Sequence, residues 1–233
     1  MTIQKIKRCV HLINLKTMKK NILFIACLFI LGCANGQSSG EYEIASLPKP
    51  KPGEEVATFG GGCFWSLTEA MSELKGVNSV VAGFAGGTTK NPTYEEVCTR
   101  TTGHAECVQV YYNPKIISYE TLVTAFFFAH NPTELNRQGP DVGTDYRSVA
   151  FYRTLAEKTT ILEVIKKIDA SKHYSDKIVT QVLPYSAFYA AEKYHQGYYR
   201  LHGDNPYIAG VSEPKVLKFR KAMKAELKAE FAN

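Results

Sequence analysis

Thr58-Phe59-Gly60-Gly61-Gly62-Cys63-Phe64-Trp65-Ser66-Leu67-Thr68-Glu69 is the stretch whose change of pattern decides how the chain folds. It ends a short β-branched and aromatic run, residues 56–59, that reads as a strand. From Trp65 the apolar residues Leu67, Ala70, Met71 and Leu74 recur at helical spacing, and Gly76 stops them. The three glycines between are a bend without side chains, so bare backbone delivers Cys63 to the start of the helix. A thiol there lies near free N–H groups and the positive end of the helix dipole, which favours the thiolate. Phe64 follows at once, then Trp65, the single tryptophan of the chain. Two readings stand at this point: an activated nucleophile beside an aromatic wall, or an inert core thiol packed by two rings.

Working outward, 233 residues suffice for one domain with a real core or two small ones. An apolar fraction of 45% and a charged fraction of 21% describe a globular chain. The net charge of +6 comes from Lys5, Lys7, Arg8, Lys16, Lys19 and Lys20, which precede any acidic residue. The remaining 22 Lys and Arg balance the 22 Asp and Glu, so no nucleic-acid partner is implied.

The basic leader continues as Met18-Lys19-Lys20-Asn21, an apolar run over residues 22–31, then Gly32-Cys33. That is a secretory pattern, too short to span a bilayer stably. Its ending, Phe29-Ile30-Leu31-Gly32-Cys33, resembles a bacterial lipobox, which implies cleavage before Cys33 and lipid attached there. An ordinary signal peptide or an uncleaved anchor is the alternative. Met18 is a plausible true start. The expected organisation is therefore a leader over 1–33, a flexible Pro- and Gly-rich tether over 34–53, and a catalytic domain over 54–233. The expected location is a membrane-tethered cell-envelope lipoprotein, or alternatively a periplasmic or secreted soluble protein.

Further along, strands are expected at 77–84, 105–112, 148–152 and 178–183, the last ended by Pro184. A helical turn or two follows Thr93. Ser118 caps a helix through Leu122, Phe126 and Ala129. Thr154 and Glu157 form a capping box for a helix carrying Leu155, Ile161, Leu162, Ile165 and Ile168. A tyrosine-rich helical turn is expected over 188–198. A helix from Pro214 carries Val216, Phe219, Met223 and Leu227. Residues 131–147 have no apolar period, and a loop that long is usually functional. Strands and helices mix without strict alternation, which gives an α+β two-layer sandwich of a mixed sheet and helices, with long loops on one side.

Several blocks now carry a resemblance. Gly62-Cys63-Phe64-Trp65, Val81-Ala82-Gly83-Phe84-Ala85-Gly86-Gly87, and Asn91-Pro92-Thr93-Tyr94-Glu95-Glu96-Val97-Cys98 come in order. They are followed by Thr102-Gly103-His104-Ala105-Glu106, by Gln138-Gly139-Pro140-Asp141-Val142-Gly143-Thr144-Asp145-Tyr146-Arg147-Ser148, and by Ala191-Glu192-Lys193-Tyr194-His195-Gln196. Together they resemble the A-type peptide methionine sulfoxide reductases (MsrA) from about residue 58 to 207. The resemblance implies a ferredoxin-like core and thiol-dependent reduction of the S-epimer of methionine sulfoxide, free or in peptides and proteins. It makes Cys63 the nucleophile that becomes a sulfenic acid and Glu106 the acid. Tyr94 and Tyr146 are the hydrogen-bond donors to the sulfoxide oxygen. Phe64 and Trp65 are the wall for the substrate methyl, and Asp141 is a polar residue near the substrate. No metal or organic cofactor is implied, and a monomer is expected. His104 and His195 are read as struts. A carboxyl at position 106, mid-strand between apolar residues, is itself conspicuous, because a buried unpaired carboxylate is costly. The competing classes are a thiol peroxidase, which needs no sulfoxide, and a peptide-binding lipoprotein, which needs neither Cys63 nor Glu106.

The sequence departs from many members of that family in its tail. Those relatives carry resolving cysteines after a segment resembling Asn205-Pro206-Tyr207, where this chain continues Ile208-Ala209-Gly210-Val211. Cys107 follows Glu106 on a strand, so alternation places it on the opposite face. Cys98 is read as buried packing. The expected reductant is then an external thiol, such as a thioredoxin-like protein, acting directly on Cys63.

Overall fold

The computed structural model describes residues 43–232. The leader, Cys33 and the first part of the expected tether lie outside the described residues. The first helix and strands follow the sequence closely: β1 (Glu55–Gly60), α1 (Phe64–Ser72), β2 (Val77–Ala85) and β3 (Ala105–Tyr112), with α2 (Tyr94–Cys98) in the β2–β3 connection. After α3 (Tyr119–Phe128) come the two-residue strands β4 (Arg137–Gln138) and β5 (Asp141–Val142), then β6 (Val149–Tyr152) and α4 (Leu155–Ser171). The chain closes with β7 (Gln181–Pro184), β8 (Phe188–Ala190), α5 (Tyr198–Leu201) and α6 (Glu213–Ala222).

The main sheet has the order β7-β6-β1-β3-β2-β8. Its four inner strands are antiparallel throughout, and α1 and α3 cross between them in the pattern β1-α1-β2-β3-α3-β6. This is the split βαβ arrangement of a ferredoxin-like core. β7 adds parallel to β6, and β8 adds antiparallel to β2, so the complete sheet is mixed.

The central strand β3 is buried along its whole length, and its alternation sorts the molecule into two layers. Val108, Val110 and Tyr112 join the larger cluster under the helices, with Phe59, Leu67, Met71 and Phe126. Ala105, Cys107 and Tyr111 point the other way, against Val149, Phe151 and Phe188. In the helical layer Phe59 stacks on Phe126 with centroids 4.7 Å apart. Truncating either ring is expected to cost about 3–5 kcal/mol, the loss typical of a core aromatic. α1 is buried from Phe64 to Met71, which is why its sequence is apolar well beyond one stripe.

Four expectations change. Residues 188–198 are not one helical turn but the edge strand β8, a 3-10 turn at Lys193–His195 and the start of α5. The pairing is supplied by the β2 edge, where Gly83 faces Ala190 and the Gln196 side chain brackets Ala82 N and O at 2.9 and 3.0 Å. The strand expected over 178–183 is shortened to Gln181–Pro184, where β6 provides partners. Thr154 does cap α4, but the Glu157 carboxylate returns to the Arg153 N–H, and Leu155 and Leu162 are exposed. Finally, the tether is not free along its whole expected length. Ile44 bridges to Glu192, and the backbones of Glu43 and Ala45 bond Lys193 and Ala191, so the ordered domain begins before Glu54.

Candidate active site

The glycine bend is built by close approach as much as by flexibility. Gly62 has φ +81°, and a Cβ there would lie 2.5 Å from Gln138 Cγ; a Cβ at Gly61 would lie 2.8 Å from the His130 ring. Gln138 is fixed in turn by bonds to Asn131 N and O at 3.0 and 2.9 Å. The 131–147 segment thus locks over the bend, and it is not featureless: it holds the β4–β5 hairpin and a 3-10 turn at Thr144–Tyr146. Arg100 pins this segment through Asp145 at 3.0 Å and Val142 O, and Arg147 bonds Thr144 O and Gly103 O at 2.8 and 3.0 Å.

Cys63 is the N-cap of α1 and is 6% exposed. Below it, Glu106 is 2% exposed and shares its face of β3 with Val108 and Val110; its Oε2 accepts the Phe64 N–H at 3.0 Å. The acid and the sulfur therefore share one helix N-terminus. The Trp65 backbone N–H and the Tyr207 hydroxyl border the sulfur and pull its pKa down. The thiolate expected from the helix end is not the resting state: burial pushes the Cys63 thiol well above its ordinary range, and Glu106 adds to this whenever its carboxyl is ionised. Backbone donors at the helix end oppose this and lose.

Tyr146 is held in the same place by its 3-10 turn. Burial first, with Glu106 and then Cys63 adding to it, raises its hydroxyl pKa, so it stays a neutral donor. Tyr94 opens α2, whose capping box joins Thr93 and Glu96. The Tyr94 N–H donates to Glu192 Oε1 at 2.9 Å. Phe64 is buried against Phe84, Tyr94 and His195, with centroids 5.9, 6.4 and 4.9 Å away. Trp65 stacks on Tyr198 at 3.9 Å and meets Tyr207 edge-on at 5.8 Å. Asp141 Oδ2 accepts the Tyr207 hydroxyl at 2.6 Å. The structure thus brings all seven expected domain residues to one end of α1.

The two histidines have different partners. His195 Nδ1 accepts the Trp65 indole N–H at 3.1 Å, and burial lowers its pKa to about 3. The ring is neutral, with its proton on Nε2, facing Glu192 Oε2 at 3.8 Å. His104 Nδ1 accepts the Gly87 N–H at 3.1 Å and its Nε2 meets Thr89 O at 2.8 Å, away from the sulfur. Both match the strut reading. Cys107 lies in the opposite layer, as alternation requires. Cys98 is half-buried at the end of α2, not fully buried as expected. Among the described residues no three His, Cys, Asp or Glu side chains converge as a metal set.

Sequence reasoning missed Tyr207, Tyr198 and Glu192 as parts of this site. Tyr207 was visible only as the end of the Asn205-Pro206-Tyr207 landmark, and nothing local tells that its hydroxyl reaches Cys63. Ile208, directly after it, is 2% exposed and packs into the main core.

A sequence profile described as peptide methionine sulfoxide reductase matches residues 55–227. The peptide methionine sulfoxide reductase MsrA of Polynucleobacter asymbioticus is 45% identical over 184 residues, 79% of this chain and 97% of that protein. The protein of the same name from Saccharolobus solfataricus is 47% identical over 174 residues, 75% of this chain and 97% of the relative. Among solved structures, reduced Mxr1 from Saccharomyces cerevisiae is similar with a TM-score of 0.62 and 34% identity, over 67% of this chain and 91% of that one. Methionine sulfoxide reductase A of Corynebacterium diphtheriae gives a TM-score of 0.58 at 31% identity, over 73% and 90% of the two chains.

Proposed function

The chain belongs to the peptide methionine sulfoxide reductase family, and from that premise we propose that it reduces the S-epimer of methionine sulfoxide, free or in peptides and proteins, with Cys63 as nucleophile. The observation that carries the assignment of roles is the buried Glu106 carboxyl held by the 3.0 Å bond from the Phe64 N–H to the same helix N-terminus that Cys63 caps. Glu106 protonates the sulfoxide oxygen and then takes the proton of the Cys63 thiol. The sulfur attacks the sulfoxide sulfur, the S–O bond breaks, and the hydroxyl passes to Cys63. Methionine leaves, and Cys63 is oxidised by two electrons to a sulfenic acid. Tyr94 and Tyr146 donate hydrogen bonds to the oxygen while charge shifts on it. Phe64 and Trp65 supply the apolar wall for the methyl group, and Asp141 with Tyr207 borders the substrate.

An external thiol closes the cycle. It displaces water from the sulfenic acid to form a mixed disulfide, and a second thiol releases Cys63. Support for this route is the buried Ile208 next to Tyr207 and the placement of Cys107 in the opposite layer. A thioredoxin-like dithiol fits the chemistry, since it brings both thiols. For location, the leader motivates lipid attachment at Cys33, which holds the domain at a membrane; mass spectrometry of the native N-terminus tests it, and an unmodified terminus elsewhere rejects it.

The reaction is tested by incubating the purified protein with dithiothreitol and each epimer of a methionine sulfoxide peptide. Consumption of the S-epimer alone is expected. Reduction of neither epimer, or consumption of peroxide in place of sulfoxide, contradicts the assignment.

A further inference from the structure

Lys215 sits in the first turn of α6, where the helix dipole disfavours a cation. Its ammonium is nonetheless buried, without a hydrogen-bond partner among the described residues. Burying an ammonium in this way is costly unless a neighbouring charge offsets it. That neighbour is Asp141, whose Oδ2 lies 3.8 Å from Lys215 Nζ. Asp141 Oδ2 also accepts the Tyr207 hydroxyl at 2.6 Å, and Tyr207 reaches the Cys63 sulfur. Lys215, Asp141, Tyr207 and Cys63 therefore form one line from the C-terminal helix to the nucleophile.

Tyr207 has one hydroxyl proton and two acceptors. While Cys63 is a thiol, that proton belongs to Asp141. Once Cys63 loses its proton, the sulfur needs a donor, and the hydroxyl must turn away from Asp141. The carboxylate is then left with less stabilisation close to a new negative charge. We propose that Lys215 is a positioning residue for Cys63, neutralising Asp141 so that Tyr207 can transfer its hydrogen bond from the carboxylate to the thiolate. This deepens the proposed reaction and rests on it only for Cys63 being the reacting group. Other titratable or charged groups also border the sulfur: Glu106 from β3 and Tyr146 from the 3-10 turn face it directly. His130, at the end of α3, feels the Lys215 charge and stays neutral.

The test is the rate at which iodoacetamide alkylates Cys63, followed by mass spectrometry of the Cys63 peptide across neutral and alkaline pH. Lys215→Met should slow alkylation at neutral pH about tenfold and move its pH profile upward by about one unit, the equivalence for a single lost stabilising interaction. Lys215→Arg should restore rates close to the parent. In an Asp141→Asn background Lys215→Met should add no further shift, because the carboxylate through which it acts is gone. If the Met variant fails a thermal-melting check, Lys215→Gln carries the same comparison. A parent-like profile in the neutral variants, or an equal slowing in the Asp141→Asn background, overturns the proposal. Alkylation needs no sulfoxide, so the two readings fail separately. A parent that is alkylated but reduces no sulfoxide removes the reaction and leaves Lys215 in place.

Discussion

Cys63 and Cys107 lie on either side of one sheet, both out of water, and burial pushes both thiols up, that of Cys107 to about 12. Burial and acidity therefore do not tell them apart; the neighbours do. Around Cys107 are Val149, Phe151 and Phe188, with the Ala85 backbone and the Arg147 charge. Around Cys63 are a carboxyl on a helix end, two tyrosine hydroxyls and an aspartate. One thiol has neighbours able to exchange a proton with it, and the other has packing. A single residue step along β3, from Glu106 to Cys107, crosses from one environment to the other.

The largest expected break in this comparison is Cys63→Ser, which should abolish sulfoxide reduction because the serine oxygen is a hard nucleophile that stays protonated at neutral pH. Turnover by a clean serine variant removes the distinction altogether. Next is Glu106→Gln, which keeps an acceptor for the Phe64 N–H and so should keep the fold. Its kcat is expected to fall by about 10²–10⁴, the range of a lost general acid. An unchanged rate shows that the proton comes from elsewhere.

A third test uses the two histidines bordering the Cys63 layer. Both are held neutral, with pKa lowered by burial to about 4 for His130 and about 3 for His195. The unfolded chain takes up these protons near pH 6.5, the folded one only well below, so stability is full above that point and is lost as pH falls toward the folded values. Each histidine contributes a slope of about 1.4 kcal/mol per pH unit within its window. Melting temperature should drop steadily between about pH 6.5 and 4, and a flat profile contradicts the neutral assignment. The smallest effect is expected from Cys107→Ala: activity near that of the parent, with roughly 1–2 kcal/mol of stability lost to the small cavity. A large fall in turnover with an intact fold places Cys107 in the chemistry after all.

The sequence makes the Cys63 half of this contrast readable because its signals are local. The glycine bend, the helical spacing after Trp65 and the alternation about Glu106 are each set within a dozen residues, and the strand parity of Cys107 follows from them. Phe188–Ala190 is a strand that its own residues do not announce, because an edge strand takes its hydrogen bonds from a distant partner, here β2, while its tyrosine-rich composition suits either state. Tyr207 and Lys215 escaped for a related reason. Their roles depend on α6 and the turn before it folding back onto residues near 63 and 141, which no local pattern encodes. The thiolate expectation erred on magnitude: backbone donors at a helix end are real, but full burial beside Glu106 outweighs them.

The proposed cycle requires Cys63 to be oxidised alone and released by an outside thiol. The direct measurement is a single turnover: protein mixed with an equivalent of S-epimer methionine sulfoxide peptide and dimedone, without reductant, followed by peptide mass spectrometry. The predicted result is dimedone on Cys63, with Cys98 and Cys107 recovered as free thiols. A disulfide joining Cys63 to Cys98 or Cys107, or an adduct on either of those residues in place of Cys63, contradicts it.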